Sequence, residues 1–147
     1  MTTRLYLDTE FNGHGGELIS LALASEDGKH WYGVMPEPRI WNEWCYEHVF
    51  PKLHALPTPA TVSGDARLFR SSLAEYLLAR KNCTIYADWP ADFAHLMQVM
   101  CGPSFGSSWV VPCNMVLLEK TDPDPLVPHN ALSDAIALMH WHAGVHT

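Results

Sequence analysis

The sequence has no long hydrophobic run. No stretch reaches the roughly 20 consecutive apolar residues that a membrane-spanning helix needs. Asp8 and Glu10 also interrupt the first apolar segment too early for it to form the core of a signal peptide. We therefore expect a cytoplasmic protein that makes no membrane contact.

Basic residues are scarce, with nine Lys and Arg against 16 Asp and Glu and a formal net charge of −7. Proteins that bind nucleic acid by neutralising its phosphates carry a basic surface. The charge therefore argues against a simple electrostatic nucleic-acid binder. If the protein handles nucleic acid, positive charge must come from another source, and bound metal ions are the obvious one.

Closely spaced cysteines are also missing. Cys45, Cys83, Cys101 and Cys113 form no Cys-x-x-Cys pair, and isolated thiols of this kind are usually reduced and half-buried, which disfavours a zinc site. The remaining composition is that of an ordinary globular protein, 48% hydrophobic and 17% charged. The chain length fits one domain spanning 1–147, which can bury roughly 70% of its unfolded surface.

The apolar pattern predicts three strands, then two helices, then alternating strands and helices. An Asp-Gly pair between the second and third strands is a strong hairpin signal, and Asn130 is placed to cap the last helix. A hairpin meander followed by crossover helices predicts a mixed α/β layer fold. The expected strands are 5–11, 17–25, 29–35, 84–87 and 109–111, and the expected helices are about 40–54, 66–80, from 90 onward and 131–143.

Two acids at the end of the first strand are the first sign of a site. Asp8 and Glu10 are two residues apart, so their side chains point to the same face of a strand. At ~4 Å and an effective dielectric constant of about 20, their repulsion is on the order of 4 kcal/mol. The pair persists if a cation, a proton or a basic partner compensates, and the equal alternative is a strand end where both acids reach solvent.

Further acids and a histidine lie at predicted helix starts. Asp88 and Asp92 lie on the approach to a helix and in its first turn, where the helix dipole favours anions, and Asp88 is the better candidate for a capping or dipole role. His129 and Asp134 are five residues apart, which is about 140° on a regular helix. They can face one site only if His129 precedes the helix, and this spacing alone is a weak signal.

The combination resembles the DEDDh 3′–5′ exonucleases of the RNase H-like superfold over nearly the whole chain. Their first motif, Asp-x-Glu on strand one, is matched by Asp8-Thr9-Glu10. Their second, commonly Asn-x-x-aromatic-Asp, is loosely matched by 88–92, with Asp88 where Asn is usual and Ala91 where an aromatic is usual. Their third, His-x-x-x-x-Asp, is matched by His129 to Asp134. The sequence is most similar to the compact bacterial and phage 3′–5′ exoribonuclease-like group.

The resemblance implies a fold and a cofactor. The fold is an RNase H-like mixed sheet, a three-stranded antiparallel meander plus two further strands, flanked by helices. The cofactor is a pair of divalent cations, Mg²⁺ or Mn²⁺, because oxygen ligands suit these ions. The implied metal ligands are Asp8, Glu10, Asp92 and Asp134, and whether Asp88 assists or replaces Asp92 stays open.

The resemblance also implies a reaction and a substrate. His129 would be the general base that takes a proton from the attacking water in a two-metal-ion hydrolysis of phosphodiester bonds. The substrate would be the 3′ end of single-stranded nucleic acid, with RNA favoured. Phe11 and Trp89 are candidates to stack on terminal bases, and His14 is a candidate contact to the terminal nucleotide. A homodimer is expected only by analogy with the family.

Other interpretations stay open. The same site could serve a 3′–5′ DNA exonuclease, and a module of the same fold could bind nucleic acid or protein without catalysis. An RNase H-like endonuclease is less favoured, because Asp-x-Glu within the first strand resembles the exonuclease arrangement. His142 and His146 have a metal-ligand spacing, but a solvated chain end explains them better.

Overall fold

The fold is a six-stranded mixed sheet with helices on both faces. The structure is a computed structural model that describes residues 2–102, 111 and 113–145. The strands are β1 Arg4–Phe11, β2 Leu18–Ser25, β3 Trp31–Val34, β4 Val62–Ser63, β5 Cys83–Ala87 and β6 Cys113–Leu117. The helices are α1 Glu43–His48, α2 Ala66–Leu78, α3 Pro90–Cys101 and α4 Ala131–Val145, and a 3₁₀ turn spans Phe50–Lys52. None of the helices in the described ranges is long and apolar enough to cross a membrane.

The strand order is β4-β3-β2-β1-β5-β6. β1, β2 and β3 form the predicted antiparallel meander, whereas β5 is parallel to β1, β6 to β5 and β4 to β3. The mixed α/β fold is therefore confirmed, with three strands beside the meander instead of the expected two. The additional strand, β4, is only two residues long and has no sequence pattern of its own.

The last strand was predicted at the wrong residues. Of the expected strand 109–111, residues 109 and 110 lie outside the described residues, and Val111 belongs to no strand. Val111 is 2% exposed and belongs to the hydrophobic core. The strand that pairs with β5 instead begins at Cys113. Val111, the one described residue of the predicted strand, is therefore buried without pairing in the sheet.

The first helix is shorter than predicted. α1 begins where the Asn42 side chain accepts a hydrogen bond from the Cys45 N–H, at 3.2 Å. It ends at His48, and a separate 3₁₀ turn contains Pro51, which has no N–H to continue an α-helix. The prediction for Asn130 is confirmed, because its Oδ1 accepts a hydrogen bond from the Ser133 N–H at the start of α4, at 3.0 Å.

Alternation along β1 divides the core between the two faces of the sheet. Leu5 and Leu7 pack with residues of α2 and α3 on one face, whereas Tyr6 packs with residues of α1 and α4 on the other. β1 and β5 are parallel neighbours, so their carboxyl ends lie at the same edge of the sheet. α3 begins just beyond that edge, and this arrangement brings the acids of β1 and α3 together.

Candidate metal centre

The predicted carboxylates converge in two groups that share one residue. Asp8, Glu10 and Asp134 each place an oxygen within 4.8 Å of the others. Asp8, Asp88 and Asp92 do the same. Two adjacent positions, each surrounded by three carboxylates with Asp8 common to both, are thus available to cations.

The alternation of β1 sends Asp8 and Glu10 toward α4, whose first turn carries Asp134. Thr9, between them, points to the opposite face, where its hydroxyl donates a hydrogen bond to Asp92 Oδ1 at 2.6 Å. This bond holds the Asp92 carboxylate over the end of the sheet, and Asp92 is only 2% exposed. Thr9 was missed by sequence reasoning, although its position between two acids on the opposite face was a readable signal.

Two buried carboxylate oxygens of the centre lack a partner. Asp8 Oδ2 and Asp92 Oδ2 are inaccessible to solvent and accept no hydrogen bond from any described residue. A buried, unpaired carboxylate oxygen is costly. Asp8 as a residue is half-buried, but its Oδ2 does not reach solvent. These hard oxygen donors fit Mg²⁺ or Mn²⁺.

The electrostatics of the centre favour protonation when no cation is present. Burial, followed by the charges of Asp92, Glu10 and Asp134, raises the pKa of Asp8 well above its usual value. Burial and the neighbouring Asp134 raise the pKa of Glu10 to about 9. Burial also raises the pKa of Asp92 to about 7, against the lowering effect of the Thr9 hydrogen bond, and that of Asp134 to about 6. The cluster therefore needs positive charge to ionise fully.

The expected capping role of Asp88 is wrong. The residue before α3 is Trp89, no side chain caps the helix, and Pro90 in its first turn leaves one fewer N–H to satisfy. Asp88 Oδ2 instead accepts a hydrogen bond from the Thr121 hydroxyl at 2.8 Å. Asp88 and Asp92 thus lie in the same acidic group.

His129 precedes α4, as the site requires, and has a left-handed backbone with φ of 70°. Its backbone N–H donates a hydrogen bond to the Asp134 carboxylate. This bond partly offsets the effect of burial, which raises the pKa of Asp134. The imidazole lies outside both acidic groups of the described residues. It packs edge-to-face with the Trp44 ring, with ring centroids 5.0 Å apart. Burial, and then the nearby His48 and Lys52, lower the pKa of His129.

A groove of about 1030 Å³ adjoins the centre and is lined by all three residues predicted to bind substrate, Phe11, His14 and Trp89, together with Glu10. Successive strand residues normally face opposite ways, but the β1–β2 register shifts between Glu10 and Phe11, an irregularity that re-aims a side chain. The Trp89 side chain is 60% exposed. Phe11 stacks on His95, with centroids 4.7 Å apart.

A glycine-containing loop that is hydrogen-bonded to the start of α1 also lines the groove. Asn12 Oδ1 accepts a hydrogen bond from the Asn42 N–H at 2.7 Å. Gly13 has φ of +79°, and a Cβ there would lie 2.8 Å from Asn42 Nδ2. Only glycine fits this close approach without displacement. Trp44 and His95 also line the groove, and no sequence motif marked either of them as part of a site.

Comparison with known proteins gives matches over part of the chain. Two curated proteins of Mycobacterium tuberculosis, from strains CDC 1551 and H37Rv, are each named 3′-5′ exoribonuclease. Each is 40% identical to this chain over 79 residues, which cover 50% of this chain and 45% of the relative. The chain thus spans less than half the length of these relatives. No family model matches it.

Proposed function

We propose that the protein is a 3′–5′ exonuclease that hydrolyses single-stranded RNA or short oligonucleotides with two divalent cations, Mg²⁺ or Mn²⁺. The observation that carries the proposal is the sharing of Asp8 between two carboxylate groups at one edge of the sheet. The 40% identity to proteins named 3′-5′ exoribonuclease supports the direction of digestion and the choice of RNA.

The acids of the two groups would hold the cations. Glu10 and Asp134 would hold one, Asp92 would hold the other, and Asp8 would contact both. When bound, such a pair activates a water nucleophile and stabilises the charge that develops on the leaving oxygen. The unpaired buried oxygens of Asp8 and Asp92 support this assignment.

The other residues of the site would move a proton and hold the substrate. His129 would accept the proton of the attacking water at a ring nitrogen, since its lowered pKa keeps the imidazole neutral near pH 7. Phe11 and Trp89 would stack on the bases at the 3′ end, each contributing roughly 1–3 kcal/mol. His14, exposed on the groove wall, would contact the terminal nucleotide.

The proposal is tested by digestion of 3′-labelled and 5′-labelled oligonucleotides with Mn²⁺ or with EDTA. We expect a 5′-labelled strand to give a descending ladder with Mn²⁺ and no products in EDTA. Asp8→Asn should abolish the ladder, because Asp8 serves both cation positions. The control Asp124→Asn removes an exposed acid and should digest normally. A ladder that persists in EDTA or in Asp8→Asn would contradict the proposal.

The alternatives differ in measurable ways. A DNA exonuclease with the same site would digest a DNA strand faster than the matched RNA strand. Parallel digestion of the two strands therefore shows whether the 2′-hydroxyl favours or hinders hydrolysis. A non-catalytic module would bind the strands without shortening them. The cytoplasmic location and the homodimer stay predictions.

A further inference from the structure

Asp88 lies directly beyond β5, where the sheet ends and α3 has not yet begun. It is half-buried, and one of its oxygens lies within 4.8 Å of oxygens from both Asp8 and Asp92. The function proposed above uses four acids and leaves this fifth one without a role. Asp88 nevertheless lies as close to Asp8 and Asp92 as a residue that binds the same cation would.

A second observation indicates a cation at this position. Asp92 is 2% exposed, and one of its oxygens is engaged by the Thr9 hydroxyl. The other oxygen is buried and accepts no hydrogen bond from the described residues, and the same holds for Asp8 Oδ2. Such oxygens are stabilised by a positive charge placed among them. Asp88 contributes to the same group.

The orientation of Asp88 is fixed by a residue far along the chain. The Thr121 hydroxyl donates to Asp88 Oδ2 at 2.8 Å, across 33 residues of sequence. This bond fixes the orientation of the Asp88 carboxylate. Metal sites usually contain side chains that hydrogen-bond to a metal-binding residue and so hold it in place.

The balance of charge between the two positions gives the same result. Glu10 and Asp134 join Asp8 at one position. Without Asp88, the other position would have only Asp8 and Asp92. With Asp88, each position has three carboxylates, and the number of charged oxygen ligands sets how tightly a hard cation is held.

We propose that Asp88 is an additional carboxylate ligand of the cation held by Asp8 and Asp92, and that Thr121 is the residue that positions it. The inference rests on the cation pair of the proposed function. It adds a fifth acid to the centre and connects the segment between β6 and α4, which contains Thr121 and His129, to the cation held by Asp8 and Asp92.

The test is isothermal titration of the metal-free protein with Mn²⁺, without substrate. The wild-type protein should bind two ions. Asp88→Asn should weaken one of them by about tenfold or more and leave the other unchanged. Thr121→Val should weaken the same ion to a smaller extent, and Thr121→Ser, which keeps the hydroxyl, should restore wild-type affinity.

Asp124→Asn is the matched control. It removes the same charge from an exposed acid of the same segment and should leave both affinities unchanged. Thr121→Val keeps all five acids, so it supplies the measurement if Asp88→Asn does not fold. Circular dichroism in EDTA establishes which variants are folded.

The outcomes separate this inference from the proposed function. Two ions bound by the wild-type protein, with neither weakened in Asp88→Asn, would overturn the role of Asp88 and leave the cation pair standing. Tighter Mn²⁺ binding by Asp88→Asn would do the same, because it would show that Asp88 is not a ligand. A wild-type protein that binds no Mn²⁺ would overturn both.

Discussion

At the scale of single residues, the site depends on alternation along one strand. Asp8 and Glu10 face α4, and Thr9 between them reaches the start of α3 on the other side of the sheet. Three consecutive residues therefore organise acids from two helices on opposite faces. The resulting concentration of negative charge is the most testable property of these residues.

We predict that the metal-free protein becomes less stable as pH rises. The folded-state pKa values of Asp134, Asp92 and Glu10 are about 6, 7 and 9, whereas carboxyls of an unfolded chain titrate near 4. Between these limits the folded state binds more protons than the unfolded state, so the free energy of unfolding falls with pH. Thermal melts in EDTA from about pH 5 to about pH 9 measure the effect.

Glu10→Gln is the control for this prediction. It removes the acid whose pKa is raised to about 9, so the melting temperature of this variant should fall less between about pH 7 and about pH 9. Saturating Mn²⁺ should raise the wild-type melting temperature most at high pH, because the acids are then already ionised and the cations displace no protons. A wild-type melting temperature in EDTA that rises from about pH 5 to about pH 9 would contradict the raised pKa values of these acids.

At the scale of the elements, the start of α4 depends on a single amide. Asn130 caps the helix through the Ser133 N–H and also donates from Nδ2 to the Lys52 carbonyl at 2.8 Å. It is completely buried. The same residue thus fixes the helix that carries Asp134 and joins it to the 3₁₀ turn after α1.

We predict that Asn130→Ala lowers the free energy of unfolding by about 1–3 kcal/mol. The cap is lost, and the Lys52 carbonyl loses its Asn130 donor. Urea denaturation in EDTA at fixed pH measures the change. Asn114→Ala, at an exposed position of β6, is the control and should change stability by less than about 0.5 kcal/mol. Equal denaturation midpoints for Asn130→Ala and the wild-type protein would contradict this role.

The same elements show what the sequence could predict. The meander, the start of α3 at Pro90 and the cap at Asn130 follow from local signals, and the structure confirms them. The predicted length of α1 was wrong, because Pro51 cannot continue an α-helix. The predicted residues of the last strand were also wrong, because the position of β6 is decided by its pairing with β5. The Thr121 contact to Asp88 spans 33 residues, and no local pattern predicts it.

At the scale of the whole molecule, a net charge of −7 accompanies a groove of about 1030 Å³ beside five acids. Phosphates are repelled by such a surface unless cations compensate. The proposed function therefore makes strand binding depend on the metal. It also places few of the contacts to the strand on Lys or Arg.

We predict that oligonucleotide binding is too weak to measure in EDTA and becomes measurable with Mn²⁺. His129→Ala, which keeps the acids but lacks the proposed base, allows this measurement by fluorescence anisotropy without digestion. Raising monovalent salt from about 50 to about 200 mM should weaken binding by less than the roughly 10³-fold loss found for proteins with six or more phosphate contacts. Binding that is equally tight in EDTA would contradict the prediction.

The position of Asp8 in both acidic groups has a consequence for how substitutions combine. If the proposed cation pair is bound, loss of Asp8 would disable both halves of the centre, so a second substitution at Asp92 or Asp134 would have little left to remove. Substitutions at Asp92 and Asp134, by contrast, would affect different halves and leave Asp8 to couple them. We therefore expect the effects of substitutions in the centre not to add, and we expect Asp8 to be its least replaceable member.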